Sequence, residues 1–254
     1  MNSSGKYPEI EGEDLVIQLN MDTGEEKEVD NVPSYNSVRR LSRFALPNIV
    51  FIAITPKASS YKITVTNIGI DAIDSVKLVC KTYKNSGPYL AGKTKTLRNV
   101  KPGNTKWTWR IAKGETVQEQ IVVTGTARDG KDKVSFGGST VRYNFAGGKY
   151  GTMKAYDGER HHMPSKSVSP LTSYSGPVVR MIKSEHAKTA SYGKFASAKK
   201  FRAKEKAKIK AGKFLEAQQL GISDVQNKFG AKYNAAINSM VTYTKSLGYT
   251  KQIL

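Results

Sequence analysis

The sequence predicts an α+β protein in two parts: an antiparallel β-sandwich followed by a mainly helical region. Three observations carry this expectation. Between about Asn48 and Phe145, short apolar runs alternate with polar residues and are separated by turn sequences. From about Lys199 the apolar period lengthens to three or four residues, in a chain rich in Ala, Lys, Glu and Gln. Between these stretches, Gly147-Gly148-Lys149-Tyr150-Gly151 marks the change of pattern. The expected organisation is an acidic flexible arm over 1–30, a β-sandwich over 31–146 and a second domain over 147–254.

The first 30 residues hold two basic and nine acidic side chains, which suits a solvated arm or an edge strand. In Tyr61–Asn67, Ile63 and Val65 point one way and Lys62, Thr64 and Thr66 the other, the alternation of a half-buried strand. Val76–Thr82 is a second β run, in which Cys80 is a small core residue. Lys106–Arg110, Gln120–Thr124 and Ser139–Phe145 continue the series, with turns at Asn67-Ile68-Gly69, Lys101–Asn104 and Asp129-Gly130. Five or more such strands suit a sandwich of about 100 residues. Further on, a helix is expected over Lys199–Leu220 with a break at Gly212, then another capped by Ser223. Phe229, Tyr233, Ile237, Met240 and Val241 form an apolar stripe of core residues around a break at Gly230.

The 254 residues carry a net charge of +20, with −7 in residues 1–30, +14 in 31–150 and +13 in 151–254. Such an excess attracts polyanions: nucleic acid, an acidic protein or an anionic membrane. Lys199–Lys213 is the most biased stretch, with Glu205 its single acidic residue; it reads either as a solvated helix face or as a helix lying along phosphates. No apolar run approaches the roughly 20 residues of a membrane span, and the first residues lack the basic start and apolar stretch of a secretory signal. A single cysteine excludes a disulfide framework and a zinc site built on several thiolates. A thiol enzyme is disfavoured because no histidine accompanies Cys80 in its own half. A P-loop lacks its upstream glycine and its following Ser or Thr, and a zinc deaminase lacks its cysteine pair.

The three histidines all fall in the basic C-terminal part: His161 and His162 in Gly158–Ser165 (GERHHMPS), and His186 in SEHAKTASYG, Ser184–Gly193. Neighbouring residues at a strand end point in different directions, so an adjacent pair is suited to two tasks, one holding a metal and one accepting a proton. Pro164 ends the strand just past the pair, and His186, returning on a helix, is a candidate second ligand.

In order, GERHHMPS, the Gly176–Met181 segment and SEHAKTASYG resemble the HNH or His-Me finger (ββα-metal) nuclease domain of bacterial polymorphic toxins, and residues 201–237 resemble its helical tail. The resemblance runs from about Lys149 to Tyr243 and does not cover the β-domain. It implies that His161 and His186 hold one divalent ion and that His162 is the general base. The ion would be Mg, Mn, Ni or Zn, since imidazoles favour later transition metals while availability favours Mg or Mn. The family often has a third histidine where this chain has Ala190, so Glu159, Glu185, water or phosphate would complete the site; the HNH asparagine is not evident between His162 and His186. Arg160, Arg180, Lys188, Lys199, Lys200 and Arg202 are candidates for phosphate contacts.

Ser60–Arg110, with its VTNIG turn and KPGNTKWTW segment, is loosely similar to immunoglobulin-like accessory domains of bacterial surface and secreted proteins, which implies an adaptor role. The expected protein is a toxin or effector that hydrolyses DNA with little sequence preference. It would be made without a signal peptide, exported by a dedicated secretion or injection system through its β-domain, and active in the target-cell cytoplasm without membrane insertion. An acidic immunity protein is the expected partner in the producer. The alternatives are a non-catalytic basic nucleic-acid-binding or injection-particle protein, and the same finger acting on RNA.

Overall fold

A computed structural model describes residues 14–33, 48–57, 60–69, 71–84, 87–110 and 116–249. These fall into two compact units, one formed by residues 14–110 and 118–143, the other by 116–117 and 144–249. The fold is mixed α+β, with a β-sheet-rich N-terminal unit; among the described residues the helices lie in the C-terminal one.

The first unit contains β1 (Leu15–Asn20), β2 (Glu26–Glu28), β3 (Ile49–Lys57), β4 (Ser60–Asn67), β5 (Ile73–Lys84), β6 (Tyr89–Val100), β7 (Gly103–Arg110), β8 (Gln118–Asp129) and β9 (Asp132–Tyr143). They form two antiparallel sheets, ordered β2-β1-β3-β4-β7 and β6-β5-β8-β9. Strand alternation puts Ile17, Ile52 and Ile63 of the first sheet in one apolar cluster with Leu78, Ile121 and Phe136 of the second. Burying each such side chain stabilises the fold by about 1.5–3 kcal/mol. Cys80 lies inside this cluster, where burial pushes its thiol up to about 12, so it is an inert core residue as expected. A charged pair is enclosed as well: the Glu119 carboxylate accepts from the Arg142 guanidinium at 3.0 Å and from the Tyr61 hydroxyl at 3.0 Å.

Two expectations change here. Leu15–Asn20 is not part of a flexible arm: β1 lies between β2 and β3, with Leu15, Ile17 and Leu19 buried. The acidic charge of residues 1–30 obscures this alternation, because none of the nine carboxylates falls within 15–20. The arm residues before Asp14 lie outside the described ones. β6 has no counterpart among the predicted strands. Nearly all its side chains are exposed, so it carries no apolar alternation, and its main-chain pairing with β5 makes it a strand.

The second unit opens with β10 (Ala146–Lys149) and continues through β11 (Glu159–His162) and β12 (Pro177–Met181), which form a small antiparallel sheet ordered β10-β12-β11. Helices α1 (Lys183–His186), α2 (Ala196–Lys210), α3 (Phe214–Phe229) and α4 (Asn234–Ser246) follow. The glycine pair expected to mark a boundary is itself strand, because α4 lies against it: a Cβ on Gly147 would sit 1.7 Å from the Ala236 carbonyl oxygen. Gly212, at φ +75°, separates α2 from α3 as expected. Ser223 caps nothing; it lies within α3, which runs on because Ile222 and Val225 extend its buried stripe. The break at Gly230 is present, and Tyr233, Ile237 and Met240 are buried as expected. Phe145, expected in the last strand of the β-domain, lies beyond β9 and packs its ring 4.3 Å from that of Tyr233.

Candidate functional site

β11 carries the histidine pair, in register with His161 opposite Val179 and His162 opposite Val178 of β12. Two buried helix side chains fix the chain immediately beyond it. Gln218 of α3 donates to the Met163 carbonyl at 3.0 Å, and Glu205 of α2 accepts the Ser165 N–H at 3.2 Å. The pair therefore sits on a strand whose exit is tied to two helices.

His161 turns inward and is only 4% exposed. Its ring lies 5.0 Å, centroid to centroid, from that of His186, edge to face. Burial, with His186 as the next contributor, pushes the His161 pKa down to about 3, so the ring is neutral at physiological pH and keeps a lone pair for a metal. No hydrogen bond is made by this ring among the described residues.

His186 ends α1. That short helix is anchored by Tyr233, whose hydroxyl accepts the Ile182 N–H at 3.1 Å and donates to Glu185 at 2.6 Å. Lys232 pairs with the same carboxylate at 2.7 Å. Glu185, one of the two carboxylates considered for the metal, is thus engaged in holding the helix. Burial lowers the His186 pKa, and the charge of Glu159 opposes the shift. The buried His186 Nδ1 has no hydrogen-bond partner, and the Tyr192 ring meets the imidazole edge-on at 5.2 Å. Glu159 stands two residues before His161 on β11, hence on the same strand face. Among the described residues no three His, Cys, Asp or Glu side chains converge as a metal-binding group. Two neutral imidazoles, one with an orphaned nitrogen, suit a divalent ion whose other positions are filled by water or substrate.

His162 is held differently. Its Nε2 lies 3.2 Å from the Ser173 carbonyl oxygen, and its ring stacks on Tyr150 at 4.7 Å. A carbonyl only accepts, so Nε2 carries the hydrogen and Nδ1 of the neutral ring is left with its lone pair. Burial lowers the His162 pKa and the Ser173 hydrogen bond partly offsets this.

The three histidines line one cavity of about 520 Å³ together with Lys166, Tyr192 and Arg202. The structure brings together only some of the predicted phosphate contacts. Arg202 lines the cavity while donating to the carbonyls of Ser191 and Gly193 at 2.6 and 2.9 Å. Arg160 also borders it, but its guanidinium lies over the Tyr150 ring at 3.7 Å and donates to the carbonyls of Tyr150 and Met153. Arg180 is buried and donates to the Asn144 and Lys154 carbonyls at 2.8 and 3.0 Å. It braces the sheet and does not line the histidine cavity. Lys188 and Lys200 line a neighbouring groove, and Lys199 is exposed on α2.

Sequence reasoning missed four participants. Tyr150 stood out only as part of a glycine-rich boundary, Tyr192 only inside a quoted motif, and Lys166 only by lying four residues beyond His162. Ser173 acts through its main chain, which leaves no signature in residue type. No protein-family model matches the chain, and no curated protein matches it.

Proposed function

We propose that the C-terminal unit is a metal-dependent endonuclease of the His-Me finger type, acting on the phosphodiester bonds of DNA with low sequence specificity. The observation that carries this reading is the arrangement of the three histidines around one cavity. His161 and His186 face each other as neutral rings with unengaged nitrogen, while His162 beside them is hydrogen-bonded so that one nitrogen stays basic.

His161 and His186 would hold the divalent ion, with Glu159 on the His161 face of β11 and its charge felt by His186. An ion held there would supply positive charge to offset the negative charge developing on the phosphate during hydrolysis. His162 Nδ1 accepts the proton of the attacking water; its Nε2–H stays on the Ser173 carbonyl and the Tyr150 ring restrains its rotation. Lys166 and Arg202 offer cations to the phosphate at the rim of the cavity. Backbone contacts of this kind carry no base information, in keeping with low sequence preference.

In the same reading the N-terminal unit is an immunoglobulin-like sandwich serving as the docking part for a secretion or injection device. The whole chain is an exported effector active in the target-cell cytoplasm, and an acidic immunity protein covers the basic active face in the producer. Incubating purified protein with plasmid DNA and Mg, Mn, Ni or Zn, beside EDTA and His162→Ala controls, tests the enzyme. Metal-dependent nicking that falls at least 100-fold in His162→Ala is expected, the scale of a lost general base being about 10²–10⁴. A parallel RNA digestion decides the substrate. Intact DNA and RNA under every metal would leave a basic nucleic-acid-binding protein.

A further inference from the structure

A second concave surface adjoins the histidine cavity. It measures about 570 Å³ and is lined by Lys188, Lys200, Lys204 and Lys228 with Tyr192 and Phe195. Tyr192 lines both cavities, so a chain leaving the histidines past this ring enters the groove directly. Lys228 is paired with Asp224, whereas Lys188, Lys200 and Lys204 are exposed and form no ion pair among the described residues.

The aromatic residue is the informative one. Phe195 is 70% exposed, the most exposed large hydrophobic side chain among the described residues, and its ring overlies the backbone at Gly193, where a Cβ would lie 3.1 Å away. A phosphate backbone requires cations alone. A solvent-facing phenyl ring beside unpaired cations reaches a base face of a closed duplex only at the cost of unstacking it, because those faces are covered by their own stack. It gains from an unpaired base, which offers a free π-face while its phosphates meet the lysines.

We propose that this groove is the track for a single nucleic-acid strand leaving the histidine cavity, with Phe195 stacking on an unpaired base and Lys188, Lys200 and Lys204 holding the flanking phosphates. The proposal rests on the nuclease reading for the direction of the strand and extends it to a substrate class: single-stranded or locally unpaired polynucleotide in preference to intact duplex.

Fluorescence anisotropy tests this with a labelled oligo-dT strand and a matched duplex, using the full chain carrying His162→Ala in EDTA so that nothing is cut. The strand is expected to bind at least tenfold more tightly than the duplex. Adding Phe195→Ala should weaken strand binding about tenfold and duplex binding less than twofold, and Phe195→Trp should restore it. Lys200→Glu with Lys204→Glu should weaken both and flatten the salt dependence. Phe195 is exposed, so these variants leave the core intact. Equal binding of the strand by the Phe195→Ala protein, or tighter binding of duplex, would overturn the proposal. Plasmid cleavage by the unmodified chain is scored separately. Cleavage with an indifferent Phe195 sinks the groove and spares the nuclease; Phe195-dependent strand binding without cleavage in any metal sinks the nuclease and spares the groove.

Discussion

Gly176 and His162 stand so close that a Cβ on the glycine would lie 2.7 Å from Cδ2 of the imidazole. The ring that we assign as general base is therefore confined by the missing side chain of one neighbour as well as by the Ser173 carbonyl and the Tyr150 ring. Gly176→Ala would push the ring off its carbonyl while leaving His161 and His186 in place. The expected result is a fall of about 100-fold in cleavage rate, the scale of an ångström-size misplacement, with Mn binding by titration calorimetry unchanged. A variant that cuts at the parental rate would remove His162 from the chemistry.

His186→Ala and His161→Ala remove one imidazole each from the facing pair. Either is expected to abolish measurable Mn or Ni binding in the same calorimetric titration, while His162→Ala keeps it. Loss of binding in all three, or in none, would contradict the separation of roles.

Glu205 is buried in α2, with one carboxylate oxygen on the Ser165 N–H and the other without a partner. Burial raises its pKa above the ordinary 4.5, against the pull of the Ser165 hydroxyl and N–H and of Arg202. A carboxyl whose folded pKa is raised favours the folded state when protonated, and that contribution is lost as pH rises through 4.5 towards the raised folded value. Glu205→Gln keeps the acceptor for Ser165 and has no charge to bury. It is expected to melt above the parent protein at pH 7.5, with the gap narrowing as pH falls towards 4.5. A gap that widens on acidification would refute this.

In the first unit, Arg142→Leu leaves the Glu119 carboxylate buried beside Tyr61 with its cation gone. Breaking a buried pair from one side typically costs about 3–5 kcal/mol. Urea denaturation should show that loss in the β-rich unit, and Arg142→Leu combined with Glu119→Leu should recover a large part of it.

Gly147→Ala places a methyl group against the main chain of α4, at 1.7 Å from a carbonyl oxygen that no side-chain rotation can move. The expected penalty is at or above the upper end of the usual overpacking range of about 1–3 kcal/mol. Calorimetry should show it as a lowered melting temperature for the second unit.

Much of the fold was legible because burial imposes a period. Ile63 and Val65 in β4, and Tyr233, Ile237 and Met240 across the last break, repeat at the spacing of their elements and are buried where that spacing predicts. The misses share a cause. β6 shows no period because its side chains are exposed, β10 reads as a linker because its glycines answer to the backbone of α4, and Ser223 reads as a cap because a serine's local preference is invisible to the packing that extends α3 through it. Within the site, residue type and strand-end position singled out His161, His162 and His186, and the pairing of β11 with β12 agrees with the strand.

Composition and local periodicity are enough to read the two-part organisation, the basic excess and the confinement of all three histidines to the second part. It takes the folded chain to bring His186 to His161, to set the tautomer of His162 through Ser173, and to commit Arg180 and Glu185 to the scaffold. Each of those outcomes is a contact between residues distant in the chain, and a main-chain carbonyl or a close backbone approach has no residue type by which to announce itself.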